Sequence, residues 1–475
     1  MAMTEWQKRL SGARCAVVGL GVSNLPLIDF LLAHGACVSG RDRKTRAELG
    51  ETAETLERKG VRLILGDTYL DGFDEEILFR SPGLRPDHPS FLSAVERGAT
   101  LTSEMELFFA LCPATVIGIT GSDGKTTTTT LTGLMLETEC KKRGRGHVFV
   151  GGNIGTPLLS KVEDMTAEDF CVVELSSFQL QSMRQSPKRA AVTNVTPNHL
   201  DWHTDFEEYV NAKTNIFCHA DNTLLVTNAE NEITCKLAGK ISQRRLLFSS
   251  QKSCPSEFGS LLREGDGAFY LSGGNIVQWD GEKETAVLSR KDILLPGLHN
   301  VENYMTAIAL TEGLVSRESI WEVATTFTGV AHRLERIREK DGVIYYNSSI
   351  DSSPTRTAAA LSALAPKRPI VICGGYDKKI PFEPLAEALC RHAKAVILTG
   401  ATAEKIRKAL DSHDEIRAGK LPVYSKADFT EAVCYAKRIA QSGDVVLLSP
   451  ACASFDAFKN FAERGETFRR IVESF

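Results

Sequence analysis

From residue 14 onward the chain alternates between short apolar runs and amphipathic stretches. "RCAVVGLG" (14–21) reads as a buried strand, "NLPLIDFLLAHG" (24–35) as a helix closed by a glycine, and "ACVSGRD" (36–42) as the next strand. This β-α-β rhythm predicts a parallel sheet. It continues to the acidic helix "SEMELFFAL" (103–111), where a first domain is expected to end. A second series of apolar runs follows: "TVIGITG" (115–121), "HVFVGGN" (147–153), "DFCVVELS" (169–176), "RAAVTNV" (189–195) and "NTLLVTNA" (222–229). Residues 251–295 change character, and turn-rich alternation such as "GAFYLSGGNIVQWDG" predicts a small antiparallel section. Two helices come next, within 300–314 and 317–329. A third alternating block contains "GVIYYNSS", "RPIVICGG", "AKAVILTG", "LPVYS" and "DVVLLSP". The expected architecture is three α/β domains, 1–108, 109–329 and 330–475.

Bulk properties narrow the function. The 475 residues are 43% hydrophobic and 24% charged, with a net charge of −4. That balance gives no reason to expect a nucleic-acid or membrane partner. The start, "MAMTEWQKRLSGAR", carries no apolar signal core. No apolar run approaches the ~20 residues that span a bilayer. The 12 cysteines form no C-x-x-C pair, and several sit in apolar runs. The expectation is a cytoplasmic protein with reduced thiols.

The strand "TVIGITG" runs directly into "GSDGKTTTTT", and a helix follows. The usual phosphate loop is G-x-x-x-x-G-K-[ST]; here it is the shorter Gly121-Ser122-Asp123-Gly124-Lys125-Thr126. Glycines let backbone N–H groups turn inward around an anion, and the helix N-terminus adds its dipole. Lys125 is placed to reach the β- and γ-phosphates, and the Thr126 hydroxyl to ligate Mg2+. The five threonines at 126–130 are poor helix formers, so propensity does not explain them. The competing reading is a plain glycine turn with a solvated lysine.

A phosphate loop needs metal ligands on neighbouring strand ends. Glu174 ends the strand in "DFCVVELS", facing the crevice where open α/β sheets bind ligands. His199, Asp201 and His203 follow the next strand, where carboxylate and imidazole could help hold a divalent ion. Taken alone, His199 reads as a structural hydrogen-bonder, and Lys213, within "FEEYVNAKTNIFCHA", as a surface lysine. At the first β-α turn, Gly19, Gly21 and Asn24 approximate G-x-G-x-x-G with its third glycine replaced, and Asp42 ends the second strand. That suggests NAD, or another nucleotide diphosphate at the helix N-terminus.

The segments "GITGSDGKTT", "GGNIGTP", "ELSSFQL", "NVTPNHLDWH", "PGLHNVENYMTAI" and "AHRLE" occur in an order that resembles the ATP-dependent Mur ligases, over nearly the whole chain. "LLSPACASFDAFKNFAERGETF" (447–468), "GLGVSN", "SPGL" (81–84) and "GGYDKK" (374–379) resemble the D-glutamate-adding branch. The Asp-Asn-Pro-Arg sequence of the diaminopimelate- or lysine-adding relatives is absent. The short phosphate loop is that family's usual form. The resemblance implies Rossmann-like first and third domains, the first for the UDP-sugar, and a central P-loop mononucleotide-binding domain for ATP and Mg2+. The third would close over the site with the amino acid. It implies a cytoplasmic peptidoglycan-precursor ligase that joins UDP-N-acetylmuramoyl-L-alanine to D-glutamate through an acyl phosphate, acting as a monomer.

Site roles follow from the same resemblance. Gly121, Ser122, Asp123, Gly124, Lys125, Thr126, Thr127, Asn303 and Arg333 would hold ATP. Thr126 and Glu174 would hold one Mg2+, and His199 and a carbamylated Lys213 a second. Lys125, Glu174, His199 and Lys213 form the catalytic set. Gly21, Val22, Ser23, Asn24, Asp42, Arg43, Ser81, Pro82, Gly83, Asn153 and Ser176 would contact the UDP-sugar substrate. Lys378, Ser454 and Phe461 would contact D-glutamate. One departure stands out: many relatives carry Asp-Ser-Lys where this chain has Ser348-Ser349-Ile350. Asp351 and Arg356 are the nearby candidates to replace the missing charges. The competing functions are another Mur ligase, a folylpolyglutamate synthetase-like ligase, a nucleotide-binding regulator without catalysis and, more remotely, an NAD dehydrogenase.

Overall fold

The computed structural model describes residues 5–200, 202–377, 380–413, 416 and 419–475. The first apolar runs form a five-stranded, all-parallel sheet. Its strands are β1 (Arg14–Val18), β2 (Cys37–Asp42), β3 (Arg62–Leu65), β4 (Ile77–Arg80) and β5 (Thr100–Thr102), in the order β3-β2-β1-β4-β5. The order reverses between β1 and β4. The loops leaving those two strands, Gly19–Asn24 and Ser81–Gly83, therefore flank the crevice at the carboxyl edge. They touch: a Cβ on Gly19, whose φ is 90°, would stand 2.7 Å from Ser81 Cβ.

Nine strands form the second sheet: β6 (Thr115–Thr120), β7 (Val148–Gly152), β8 (Phe170–Glu174), β9 (Arg189–Val192), β10 (Leu224–Asn228), β11 (Arg244–Ser249), β12 (Gly267–Ser272), β13 (Asn275–Trp279) and β14 (Glu284–Ser289). Strands β6–β12 pair in parallel, and β12-β13-β14 is the antiparallel section expected from residues 251–295. It extends the parallel sheet. Strand β6 lies between β8 and β9, so this order also reverses at the strand that feeds the phosphate loop.

The third sheet contains β15 (Glu335–Lys340), β16 (Val343–Asn347), β17 (Ile370–Cys373), β18 (Ala395–Leu398), β19 (Val423–Ser425) and β20 (Val445–Leu448), ordered β15-β16-β20-β17-β18-β19. Only β15 is antiparallel. Its sequence, "ERIREK", gives no apolar signal, because an edge strand need not be buried on both faces.

By contact, the chain divides into two compact units. One spans 1–292 and 301–323 and contains the first two sheets; the other spans 293–300 and 324–475 and contains the third. The first two sheets share one core. Leu27, Ile28 and Leu31 from the helix Asn24–Ala33 belong to the same apolar cluster as Leu158, Leu159 and Val162 beside the second sheet. Among the described residues no helix is long and apolar enough to cross a membrane.

Candidate active site

The helix Lys125–Arg143 begins directly after Gly124 and ends on Gly144 in the left-handed conformation. The threonine run has specific partners. Thr126 Oγ1 donates to Glu174 Oε2 at 2.8 Å, and Thr128 Oγ1 to Asn303 Oδ1 at 3.2 Å. Thr130 and Thr132 bond back to the carbonyls four residues earlier, at 2.8 Å each. Thr127 is buried on the same helix.

Two glycines of the loop are sterically required. Gly121 has φ 149°, and a Cβ there would lie 1.9 Å from Thr193 Oγ1; one on Gly124 (φ 79°) would lie 2.5 Å from Asn303 Oδ1. The loop is pinned from the end of β9. Ser122 N donates to Asn194 O at 2.9 Å, Asp123 N to Asn194 Oδ1 at 2.9 Å, and Thr193 Oγ1 to Asp123 O at 2.5 Å. Ser122 Oγ donates to Thr196 O at 3.0 Å and lies 2.9 Å from the Tyr209 hydroxyl. Lys125 Nζ donates to the carbonyls of Gly121 and Ser122, at 2.9 and 3.0 Å. Thr193, Asn194 and Tyr209 were not singled out from sequence. Thr193 and Asn194 become visible only once β6 and β9 are paired, Thr120 beside Val192, and Tyr209 only once the helix Phe206–Thr214 packs on the loop.

Glu174, 2% exposed, sits on β8 with both oxygens engaged: Oε2 by Thr126 and Oε1 by Asn153 Nδ2 at 2.9 Å. A hydroxyl and a carboxylate this close are hard oxygen donors of the kind Mg2+ takes, so the residues present fit that ion. Among the described residues no group of three or more His, Cys, Asp or Glu is placed to hold a metal. Ser176 caps the short helix Ser177–Leu180 in a capping box with Gln179.

The surface-lysine reading of Lys213 is overturned. It lies in the last turn of the helix Phe206–Thr214 and is 1% exposed. Its Nζ donates to Gly121 O at 3.0 Å and Thr120 Oγ1 at 3.3 Å, 4.6 Å from the Tyr209 ring centre. Burial, then the charge of Lys125, push its pKa down to about 7, against the opposing pull of Asp123 and Glu174. His199 is exposed at the mouth of the same region with φ 54°. His203 does not face it. It is 2% exposed, with Nε2 3.0 Å from Ser177 Oγ and its ring among Phe178, Trp202 and Tyr209. The expected metal role for His203 is therefore corrected to a structural one. Asp201 lies outside the described residues.

Around the first crevice, Asn24 replaces the third glycine and tightens the turn, its Nδ2 donating to Gly19 O at 2.8 Å. Asp42 accepts from Leu20 N at 2.6 Å and Lys44 N at 2.8 Å, so both of its oxygens support backbone. Gly21, Val22, Ser23 and Arg43 lie on the same rim, Val22 79% exposed. Ser81, Pro82 and Gly83 form the opposite rim.

In the second unit, β20 lies between β16 and β17, and the loops leaving these strands carry the remaining candidates. Arg464, 2% exposed, ties them together, donating to Ser349 Oγ and O and to the carbonyls of Cys452 and Ala453 at 2.9–3.0 Å. Ser454 is buried beside them, and Phe461 is exposed, its carbonyl accepting from Ser349 Oγ at 2.8 Å. Lys378 lies outside the described residues. Asp351 is buried, accepts from Ser449 Oγ at 2.8 Å and also hydrogen-bonds Ser348. Burial pushes its pKa up to about 6, while those hydroxyls and the charges of Arg356 and Arg333 hold it back. Arg333 sits in a tight turn, with N donating to Val330 O at 3.0 Å. Arg356 is exposed and donates to Ile350 O at 3.3 Å.

Comparison with known proteins bears on the whole chain. Residues 119–311 match the Mur ligase middle domain, and residues 332–452 match the domain described as Mur ligase, glutamate ligase domain. A UDP-N-acetylmuramoylalanine–D-glutamate ligase of Clostridium novyi (strain NT) is 48% identical, covering 99% of this chain and 98% of its own length. The protein of that name from Acetivibrio thermocellus is 46% identical over the same shares. Among solved structures, a UDP-N-acetylmuramoyl-L-alanyl-D-glutamate–2,6-diaminopimelate ligase aligns with a TM-score of 0.57 at 17% identity, covering 98% of this chain and 93% of its own. A UDP-N-acetylmuramate-alanine ligase from Thermotoga maritima gives 0.54 at 19%, covering 97% and 99%. At those identities the two structures speak for the fold alone. With the two family domains matched and 46–48% identity to the curated relatives over 99% of its length, the chain that carries this phosphate loop, strand-end acid and buried lysine belongs to the Mur ligase family, among the UDP-N-acetylmuramoylalanine–D-glutamate ligases.

Proposed function

We propose that the chain joins the carboxyl group of UDP-N-acetylmuramoyl-L-alanine to the amine of D-glutamate at the expense of ATP, in peptidoglycan-precursor synthesis. The observation that carries this reading is the pair Thr126–Glu174, a phosphate-loop hydroxyl on a buried strand-end carboxylate, in a chain 46–48% identical to these ligases over almost its full length. The substrate carboxylate attacks the γ-phosphorus, giving an acyl phosphate and ADP. The D-glutamate amine then attacks the acyl carbon, and the tetrahedral intermediate expels phosphate to leave the amide.

Two anions must meet in the first step, so positive charge has to be held between them. Lys125 supplies it at the loop formed by Gly121, Ser122, Asp123 and Gly124, with Thr127 and Asn303 completing the ATP side. The ATP role of Arg333 is carried by its place in the "AHRLE" motif. Thr126 and Glu174 would hold one Mg2+, and His199 and Lys213 a second; bound there, the ions would neutralise phosphate charge. Lys213 suits that role as a carbamate, formed when its neutral amine adds CO2 and releases a proton, which converts a cation into an oxygen ligand. Its burial and lowered pKa supply the neutral amine. The two rims, Gly21–Asn24 with Asp42 and Arg43, and Ser81–Gly83, receive the uridine diphosphate at a helix N-terminus. Asn153 and Ser176 lie toward the acyl end. In the second unit Ser454 and Phe461, with Lys378, take D-glutamate. Asp351 supplies the carboxylate missing at Ser348.

The direct test is phosphate release from ATP in the presence of UDP-N-acetylmuramoyl-L-alanine with D-glutamate, L-glutamate, a diamino acid or no amino acid. Release with D-glutamate alone is expected. Release with a different amino acid overturns the substrate assignment, and release with none of them overturns the ligase reading.

A further inference from the structure

Two segments face each other where the first sheet meets the second: 81–85, leaving β4, and, beyond β9, His199 with Trp202 and His203. The Trp202 indole Nε1 donates to Gly83 O at 3.1 Å, and Arg85 Nη1 donates back to Trp202 O at 2.7 Å. The Arg85 guanidinium also grips Glu208, on the helix that carries Lys213, at 2.8 and 3.1 Å, and lies 5.2 Å from the Trp202 ring centre. Asp87 holds its other edge at 2.7 and 2.9 Å. Arg80 anchors the start of the same loop, donating to Leu84 O at 2.9 Å, Ser182 Oγ at 2.8 Å and Phe178 O at 3.2 Å.

His199 belongs to the turn this bridge grips. Its carbonyl accepts from Trp202 N and His203 N, at 3.1 and 3.0 Å. Its φ of 54° is one that an L-residue keeps only where the surroundings define it. Its ring stands edge-on to Phe178 at 4.9 Å, and Phe178 packs on Trp202 at 4.6 Å. Trp202 thus touches the 81–85 loop through its side chain and orients the His199 turn through its backbone.

We propose that Arg85 and Trp202 are positioning residues that couple the Ser81–Gly83 loop to His199. Binding of a uridine-diphosphate sugar at the loop then sets the His199 turn and tightens the second divalent-cation site. This rests on the roles given to Ser81–Gly83 and His199 under the proposed function. By linkage, the cation tightens the sugar nucleotide by the same factor.

Two variants isolate the bridge. Trp202→Phe keeps an aromatic ring against Phe178 and removes the N–H that reaches Gly83. Arg85→Lys keeps the charge and loses the planar fork. Mn2+ binding, followed by electron paramagnetic resonance with a non-hydrolysable ATP analogue, is measured with and without UDP-N-acetylmuramoyl-L-alanine. In metal-free protein, the His199 ring resonances are followed at fixed pH as the same substrate is added. The wild type should bind Mn2+ roughly 5-fold tighter or more with the substrate, and its His199 resonances should shift. In both variants the tightening should fall toward unity and the shift should shrink, an effect general destabilisation would not produce selectively. Variants that keep the wild-type tightening overturn the proposal, as does a wild type with none. His199→Ala separates the two levels. If it leaves Mn2+ binding unchanged, the metal role fails and the coupling with it. If it weakens Mn2+ binding while both bridge variants behave as wild type, the bridge alone fails.

Discussion

A lysine that is 1% exposed, with a second lysine as a neighbour, is costly to bury as a cation. The proposed carbamylation would remove that cost and turn the side chain into an oxygen ligand. Wild-type protein incubated with 13C-bicarbonate should therefore show a carbamate resonance that Lys213→Met lacks, and stripping CO2 from the buffer should lower turnover. Absence of the resonance in active enzyme would defeat the assignment. Because the neutral amine is the reactive form, carbamate formation should fall as pH drops through about 7. Asp351 makes the complementary case: a buried acid held by Ser348 and Ser449, three residues beyond Ser348. Asp351→Ala should raise the KM for ATP or D-glutamate on the order of 10-fold, the scale of a hydrogen bond to a charged group. Unchanged kinetics would remove it from the site. Lys213 was unreadable from composition, since helical spacing says which face a residue occupies but not what packs on that face.

At the scale of elements, each sheet places its candidates where its strand order reverses: β1 against β4, β6 between β8 and β9, and β20 between β16 and β17. Loops leaving such strands diverge and open a crevice. The phosphate-loop helix is further locked at its far end. Glu139 accepts from Ser316 N and Oγ, Ser319 Oγ and Arg143 Nε at 2.6–2.9 Å, tying this helix to the start of Arg317–Thr326. Burial opposes its ionisation, yet these four donors prevail and hold its pKa down to about 2. The native value lies below the unfolded one of 4.5, so the contribution is present above pH 4.5 and fades as pH falls toward 2. Denaturant titrations should find Glu139→Gln less stable at pH 7 by on the order of 1–3 kcal/mol, with the gap closing toward pH 3. A gap that stayed constant would exclude ionisation of Glu139 as its source.

For the whole molecule, the ATP loop and the D-glutamate candidates belong to different compact units. Ser454→Ala should raise the KM for D-glutamate about 10-fold and leave nucleotide binding, measured by titration with an ATP analogue, unchanged. A parallel loss of nucleotide affinity would contradict that division. Much of this organisation was legible in the chain. Alternating apolar runs gave the three β-α series, and Gly121-Ser-Asp-Gly-Lys-Thr126 gave the phosphate loop, because glycine, lysine and hydroxyl are each demanded by a local geometry. Segments at either end that resemble the D-glutamate-adding branch pointed to the substrate. The sequence also determined the antiparallel section, since alternation and paired glycines are local signals. Tertiary structure alone decided three things. It joined the first two sheets through one core, buried Lys213 under Gly121, and turned His203 inward while leaving His199 exposed. Each depends on which strands lie side by side, and strand pairing is set by contacts between residues distant in the chain, which no local pattern encodes.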